Sequence, residues 1–143
     1  MHYSGKKQRH TQKAQIIADL NTETILATDF CIGSTHDFQL FKNSRCTISS
    51  ATCLLADSGY QGMLAFHANS QTPVKKSKLH PLSQEQKANN RKLSRKRILI
   101  ENIIRRLKIF RILSERYRNR RKRFGLRFNL IAAICNMELK IAL

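Results

Sequence analysis

A chain of 143 residues is long enough for one domain with its own core and short for two. Its 41% hydrophobic and 25% charged content, with five Gly and two Pro, excludes a fibrous or disordered polymer. The 27 Lys and Arg against nine Asp and Glu give a formal net charge of +18, which selects polyanions as partners.

No apolar run approaches the roughly 18 residues of a spanning helix. The N-terminal "MHYSGKKQRH" also lacks the apolar stretch of a signal peptide. Nucleic acid in the cytoplasm is therefore the expected partner, and no membrane is. Cys31, Cys46, Cys53 and Cys135 lie far apart, with no C-x-x-C pair and no paired histidines nearby, so zinc-site spacing is absent. All four are read as reduced, mostly buried, small apolar residues.

In chain order, "QKAQIIADL" (12–20) and "TILATDFCI" (24–32) are rich in apolar and β-branched residues and flank the polar "NTE", which reads as a β-hairpin. "GSTHDFQLFKNS" follows with Gly33 as a break, Ser34 or Thr35 as helix N-cap and Asp37 in the first turn, so a short helix is expected. There His36 and Asp37 read as an ordinary helix start, since the helix dipole favours an acid at that place. "ATCLLAD" has the length and continuity of a buried strand, and the glycines of "SGYQG" end it in a turn just after Asp57. "QTPVKKSK" is a candidate edge strand, because Pro73 cannot donate to a ladder.

From Ser83 the period becomes helical. Ser83 and Gln86 have capping-box spacing, and Ile100, Ile103, Ile104 and Leu107 mark an apolar face of one long helix or two. The charge block "ERYRNRRKR" (115–123) separates this from "FGLRFNLIAAICNMELKIAL", which is apolar nearly all round its helical wheel and so reads as a buried helix. Strands first and helices after give an α/β class, a mixed sheet flanked by helices, with 83–143 mainly helical.

Two acids stand out in so basic a chain. Asp57 ends a strand, where open α/β sheets place ligands. Glu101 lies among apolar and basic residues, and on a helix Arg97, Glu101 and Lys108 fall within about 40° of one another. Each acid has a plain alternative: Asp57 as a turn or capping residue, and Glu101 as the intrahelical partner of Arg97 and Arg105. Those alternatives leave the joint occurrence of both acids unexplained. Two converging carboxylates would suit Mg²⁺, which prefers oxygen ligands. A pair of such ions can clamp the attacking and leaving oxygens of a phosphodiester.

Three basic clusters surround these acids in sequence: Lys6, Lys7, Arg9 and Lys13; Lys75, Lys76 and Lys78; and the segment 91–123. A charge run is commonly only a solvated face, but three with so little compensating acid point to phosphate contacts. Tyr60 and Tyr117 could stack on bases, with packing at least as good an account. No role is assigned to His10 or His67.

"YSGKKQRHTQKAQIIAD", "GSTHDFQLFKNS", "LLADSGYQG", "RILIENIIRRLKIFRIL" and "ERYRNRRKRFGLRFNLIAAICN" together resemble, in order and over nearly the whole chain, the catalytic region of bacterial insertion-sequence transposases of the DDE superfamily. The resemblance implies an RNase H-like fold spanning 1–143. It makes Asp57 the second Asp and Glu101 the Glu of a triad that binds Mg²⁺ or Mn²⁺ as two ions. The family signature Y-x2-R-x3-E-x6-K is matched by Arg97, Glu101 and Lys108, with Ser94 in place of the tyrosine. The resemblance implies DNA contacts for Arg97 and Lys108, and the neighbouring Arg105, Lys75 and Lys76 are added as candidate DNA-binding residues.

The family's first Asp lies on a strand upstream of "YSGKK", and neither Asp19 nor Asp29 matches it. A truncated or split transposase lacking the first strand is therefore expected, with an upstream transposase segment as a partner. The implied chemistry is metal-assisted cleavage of DNA at the element's ends, after which the freed 3′-hydroxyl attacks target DNA. An oligomer on paired ends, in the bacterial cytoplasm at the nucleoid, is implied too. A non-catalytic basic DNA- or RNA-binding protein is the alternative that composition alone permits.

Overall fold

The computed structural model describes residues 3–4, 9–77, 81–115 and 121–141. Its strands are β1 (Tyr3–Ser4), β2 (Arg9–His10), β3 (Gln12–Ala18), β4 (Ile25–Ile32), β5 (Leu54–Leu55) and β6 (Ser70–Gln71). Its helices are α1 (Asp37–Asn43), α2 (Gln84–Ile109), α3 (Arg111–Ser114) and α4 (Phe124–Ile141). The class is α/β, as expected.

The expected hairpin is β3 and β4, paired antiparallel from Gln12 opposite Ile32, with one irregularity between Ile17 and Ala18. Its turn is built by short polar side chains. Asp19 accepts from the Asn21 N–H and the Thr22 hydroxyl, both at 2.9 Å, and the first of these bonds holds its carboxyl below the usual carboxylate range. Arg106 of α2 grips the same turn, donating to the Glu23 carbonyl and pairing with its carboxylate, each at 3.1 Å.

Alternation along the hairpin gives two working faces. Ile16, Ala18 and Phe30 pack on the core of Ile25, Ile103, Leu107, Phe128, Ile131, Ala132 and Cys135. Phe30 meets Phe124 and Phe128 edge-on, at centroid distances of 5.5 and 5.2 Å. The other face carries the buried Gln15, which accepts from the Tyr60 hydroxyl at 3.4 Å. Leu40 of α1 and Met63 are buried apart from that core, and Lys42 lies 4.5 Å from the centre of the Phe38 ring.

α2 is one helix of 26 residues, and its Ser83–Gln86 capping box forms in both directions. Its exposed first half passes the turn after β5, while Ile103 and Leu107, one turn apart, enter the core. Among the described residues no helix is long and apolar enough to cross a membrane.

Several sequence expectations are corrected. The strand in "ATCLLAD" is only Leu54–Leu55 and is half-buried; it runs parallel to Ser70–Gln71, which ends before Pro73, so no strand reaches Lys75. The strands form three separate two-stranded sheets rather than one mixed sheet among the described residues. The N-cap of α1 is His36 rather than Ser34 or Thr35: its Nδ1 accepts from the Phe38 N–H at 3.3 Å and its carbonyl takes the first helical bond, from the Leu40 N–H, while Thr35 closes a turn back to the Ile32 carbonyl. α4 is buried on one side only: Phe128, Ile131, Ala132 and Cys135 face inward, while Leu126, Leu130, Ile134 and Met137 stay exposed. Of the cysteines, all free, only Cys135 is buried, and burial pushes its thiol pKa up; Cys31 and Cys46 are half-buried and Cys53 is exposed.

Candidate functional site

Asp57 follows the short β5 strand and starts a single 3-10 turn, Ser58–Tyr60. Its Oδ1 accepts from the Ser58 N–H at 2.6 Å, so the carboxylate is oriented by its own turn. The chain then bends away through Gly62, whose φ of +90° lies in the left-handed region that favours glycine. The plain reading of Asp57 as a capping residue is thus met, and it leaves the carboxylate facing outward.

Glu101 sits on the exposed face of α2, and its Oε1 accepts from Arg97 Nε at 3.2 Å, the i,i+4 pair that helical spacing allows. No such pair forms with Arg105. What the spacing alone did not reveal is the second arm of Arg97: its Nη1 reaches Asp57 Oδ1, also at 3.2 Å. One guanidinium therefore joins the two acids singled out in the sequence. The three side chains remain about half exposed, at 51% for Arg97, 47% for Asp57 and 54% for Glu101. Exposed pairs of this kind contribute little to stability, roughly 0–1 kcal/mol each.

The basic residues divide. Arg105 and Lys108 are exposed on α2, and Lys108 shares the stripe of Arg97 and Glu101. Lys75 and Lys76 are exposed just beyond a tethered segment. The Asn90 carboxamide accepts from the Val74 N–H at 3.0 Å and donates to the Val74 carbonyl at 2.9 Å, and Gln61 donates to the Pro73 carbonyl at 3.0 Å. Asn90 precedes Arg97 by two helical turns, so the backbone just before these lysines is tied to the side of α2 that bears Arg97 and Glu101. Neither Gln61 nor Asn90 was singled out in the sequence; the only local signal was Asn90 falling in register with Arg97.

Lys13 differs from the other cations. Its ammonium donates to Asp37 Oδ1 at 2.9 Å and to the Thr35 carbonyl at 2.6 Å, so it clamps α1 to the hairpin rather than standing ready for phosphate. Asp37 is occupied in that clamp, and His36 in the helix cap. Tyr60 packs edge-on to Phe41 with centroids 6.5 Å apart, which is the packing role. Lys6, Lys7, Lys78 and Tyr117 lie outside the described residues, as does most of the 115–123 charge block.

His67 is buried, its Nε2 lying 3.1 Å from the Ser49 carbonyl, and it ties two loops together away from the acids. Among the described residues no group of three or more His, Cys, Asp or Glu could hold a metal ion, and Asp57 and Glu101 are linked through Arg97. Carboxylate oxygens are the hard donors that Mg²⁺ and Mn²⁺ take, and among the described residues those of Asp57 and Glu101 are bonded to a guanidinium and one backbone N–H. The donor set of the two acids suits a divalent cation in kind.

The chain is 49% identical over 139 residues to the probable transposase for insertion sequence element IS702 of Microchaete diplosiphon. The match covers 97% of this chain and 50% of that relative, so the chain spans about half the relative's length. No solved structure matches it. Residues 1–136 match the family described as DDE superfamily endonuclease, and the chain belongs to that family.

Proposed function

We propose that this chain is the catalytic part of an insertion-sequence transposase, an RNase H-like DNA endonuclease and strand-transfer domain with Asp57 and Glu101 among its metal ligands. The observation that carries this reading is the convergence of those two acids, from a turn and a distant helix, on one cation. A divalent ion, Mg²⁺ or Mn²⁺, held by them would supply Lewis acidity and charge neutralisation at a phosphodiester. A two-ion site would draw its further carboxylate from an upstream segment of the transposase.

The protein's own contribution is placement. Asp57 is held by its turn and Glu101 sits on a long helix anchored in the core, so the backbone that carries both carboxylates is set before substrate arrives. Lys108, Arg105, Lys75 and Lys76 lie exposed for phosphate contacts, which hold DNA in register without reading its sequence. Cations near the scissile phosphate also favour the charge that develops on its oxygens. The substrate is DNA at the ends of an insertion element and at its target, and the working form is an oligomer on paired ends.

A basic DNA- or RNA-binding protein that does not cut is the second reading, and the observation beside it is that no group of three or more His, Cys, Asp or Glu among the described residues could hold a metal ion. Mg²⁺-dependent nicking of supercoiled plasmid separates the readings, with this chain alone and joined to an upstream segment that carries an Asp on its strand. Cleavage is expected in the joined form, and Glu101→Gln or Asp57→Asn removes it while DNA binding persists. Tight, salt-sensitive binding with no cleavage in either form would overturn the enzyme reading.

A further inference from the structure

We propose that Arg97 is a built-in counterion of the two-acid site, occupying the cation position between Asp57 and Glu101 until a divalent metal displaces it. The inference rests on the reading of Asp57 and Glu101 as metal ligands and concerns what guards them.

A guanidinium presents its donors as a rigid planar fork. Here two edges of one fork are used at once, Nη1 on Asp57 and Nε on Glu101, at the same 3.2 Å. A net positive charge is therefore already placed where two negative charges converge. Without it, both acids would lose the cation that they share, in a chain whose other acids are few. The same oxygens are needed by a hard cation, and Asp57 Oδ1 already spends one direction on the Ser58 N–H. Metal and guanidinium thus compete for the same lone pairs.

The competition is balanced so that it can reverse. All three side chains are about half exposed, and water screens both pairs, so displacement costs little. A swung-out guanidinium stays on the exposed face of α2, on the stripe that Lys108 shares about three turns further along, where it can take a phosphate bidentately. Its bonds to the two carboxylates and a bidentate phosphate contact draw on the same N–H groups, so Arg97 serves one or the other. The site is closed to stray cations when empty, and the arrival of metal frees an arginine for DNA.

A purely structural Arg97 would hold the Asp57 turn on α2, and its loss would loosen the two ligands and weaken metal binding. A counterion has the opposite signature. The test is Mn²⁺ affinity of the full chain, read from the electron paramagnetic resonance signal of free Mn²⁺, for the wild type and for Arg97→Gln, Arg97→Lys, Asp57→Asn and Glu101→Gln. Circular dichroism checks that each variant is folded.

The result expected is a Kd about three- to tenfold tighter for Arg97→Gln, the scale of two exposed pairs. Arg97→Lys, which keeps the charge on a single compact ammonium, falls between that variant and the wild type. Both acid variants should bind at least tenfold more weakly. Unchanged or weaker binding by Arg97→Gln, with both acid variants impaired, would overturn the counterion while leaving the metal site standing. Equal binding by all five proteins would overturn the metal site itself, and the counterion with it.

Discussion

Asn136 of α4 meets the backbone of Ile25 in β4 with both ends of its carboxamide: Oδ1 accepts from the Ile25 N–H at 2.9 Å, and Nδ2 donates to the Ile25 carbonyl at 2.8 Å. A side chain thus makes the rung that a neighbouring strand would make, on the outer edge of the hairpin. Two helical turns earlier, Asn129 accepts from the Thr28 hydroxyl, so α4 runs along the exposed edge and covers it. Replacing Asn136 by Ala leaves the buried Ile25 N–H without a partner. A loss of about 1–3 kcal/mol is expected, read by urea denaturation, and Asn136→Asp should cost as much because it removes the donor.

Tyr60 provides a pH signature. Burial first, then the carboxylates of Asp37 and Asp57 and the thiol of Cys31, push its pKa from the usual value near 10 up to about 12. The folded state holds this proton more tightly than the unfolded chain does. The associated stability is therefore complete below pH about 10 and is lost as the pH rises towards 12. Absorbance at the tyrosinate band should show one of the three tyrosines titrating near 12, and Tyr60→Phe should delete that step and flatten the alkaline loss of stability.

Lys75 and Lys76 should report through salt. Each phosphate contact contributes about 0.9 to the slope of log K against log salt on duplex DNA. The double substitution Lys75→Ala with Lys76→Ala should lower the slope by nearly 2, uniformly across DNA sequences. Asn90→Ala, which releases the Val74 tether without removing charge, should weaken binding while changing the slope far less. A normal slope after the double substitution would show that these lysines face solvent only.

Gly33 sits at the join between hairpin and helix, its N–H bonded to the Thr11 carbonyl at 2.8 Å. A Cβ placed there would come within 3.0 Å of that same backbone carbonyl, and closer still to the Thr11 side chain. Gly33→Ala should destabilise the fold by about 1–3 kcal/mol, the usual range for overpacking. Thr11→Ala should recover only part of the loss in a double-mutant cycle, because the backbone contact persists.

The elements most legible in the sequence were those written in local chemistry. The β3–β4 hairpin followed from two apolar runs around "NTE", and the start of α2 from the Ser83–Gln86 box, since each depends on residues close in the chain. β5 was overestimated because a run such as "ATCLLAD" becomes a strand only where a distant partner pairs with it, and Ser70–Gln71 pairs with two residues of it. α4 was misjudged because an all-round apolar helix does not declare which side is covered; Leu126, Leu130 and Met137 remain open.

The site followed the same division. Scarcity of acids marked Asp57 and Glu101, and helical geometry put Arg97 beside Glu101. The link from Arg97 to Asp57 crosses between α2 and the turn after β5, and no periodicity encodes it. The tether from Asn90 to Val74 is invisible in sequence for the same reason.

A divalent ion shared by Asp57 and Glu101 can be located by the cuts that it makes. Fe²⁺ offered in place of Mg²⁺, with ascorbate and peroxide, releases hydroxyl radicals that cut the backbone beside the bound metal. The result predicted is two cuts, one around Asp57 and the other around Glu101, both lost in Asp57→Asn and in Glu101→Gln and both suppressed by excess Mg²⁺. Cutting at one segment only, or a pattern indifferent to either substitution, would contradict a shared site.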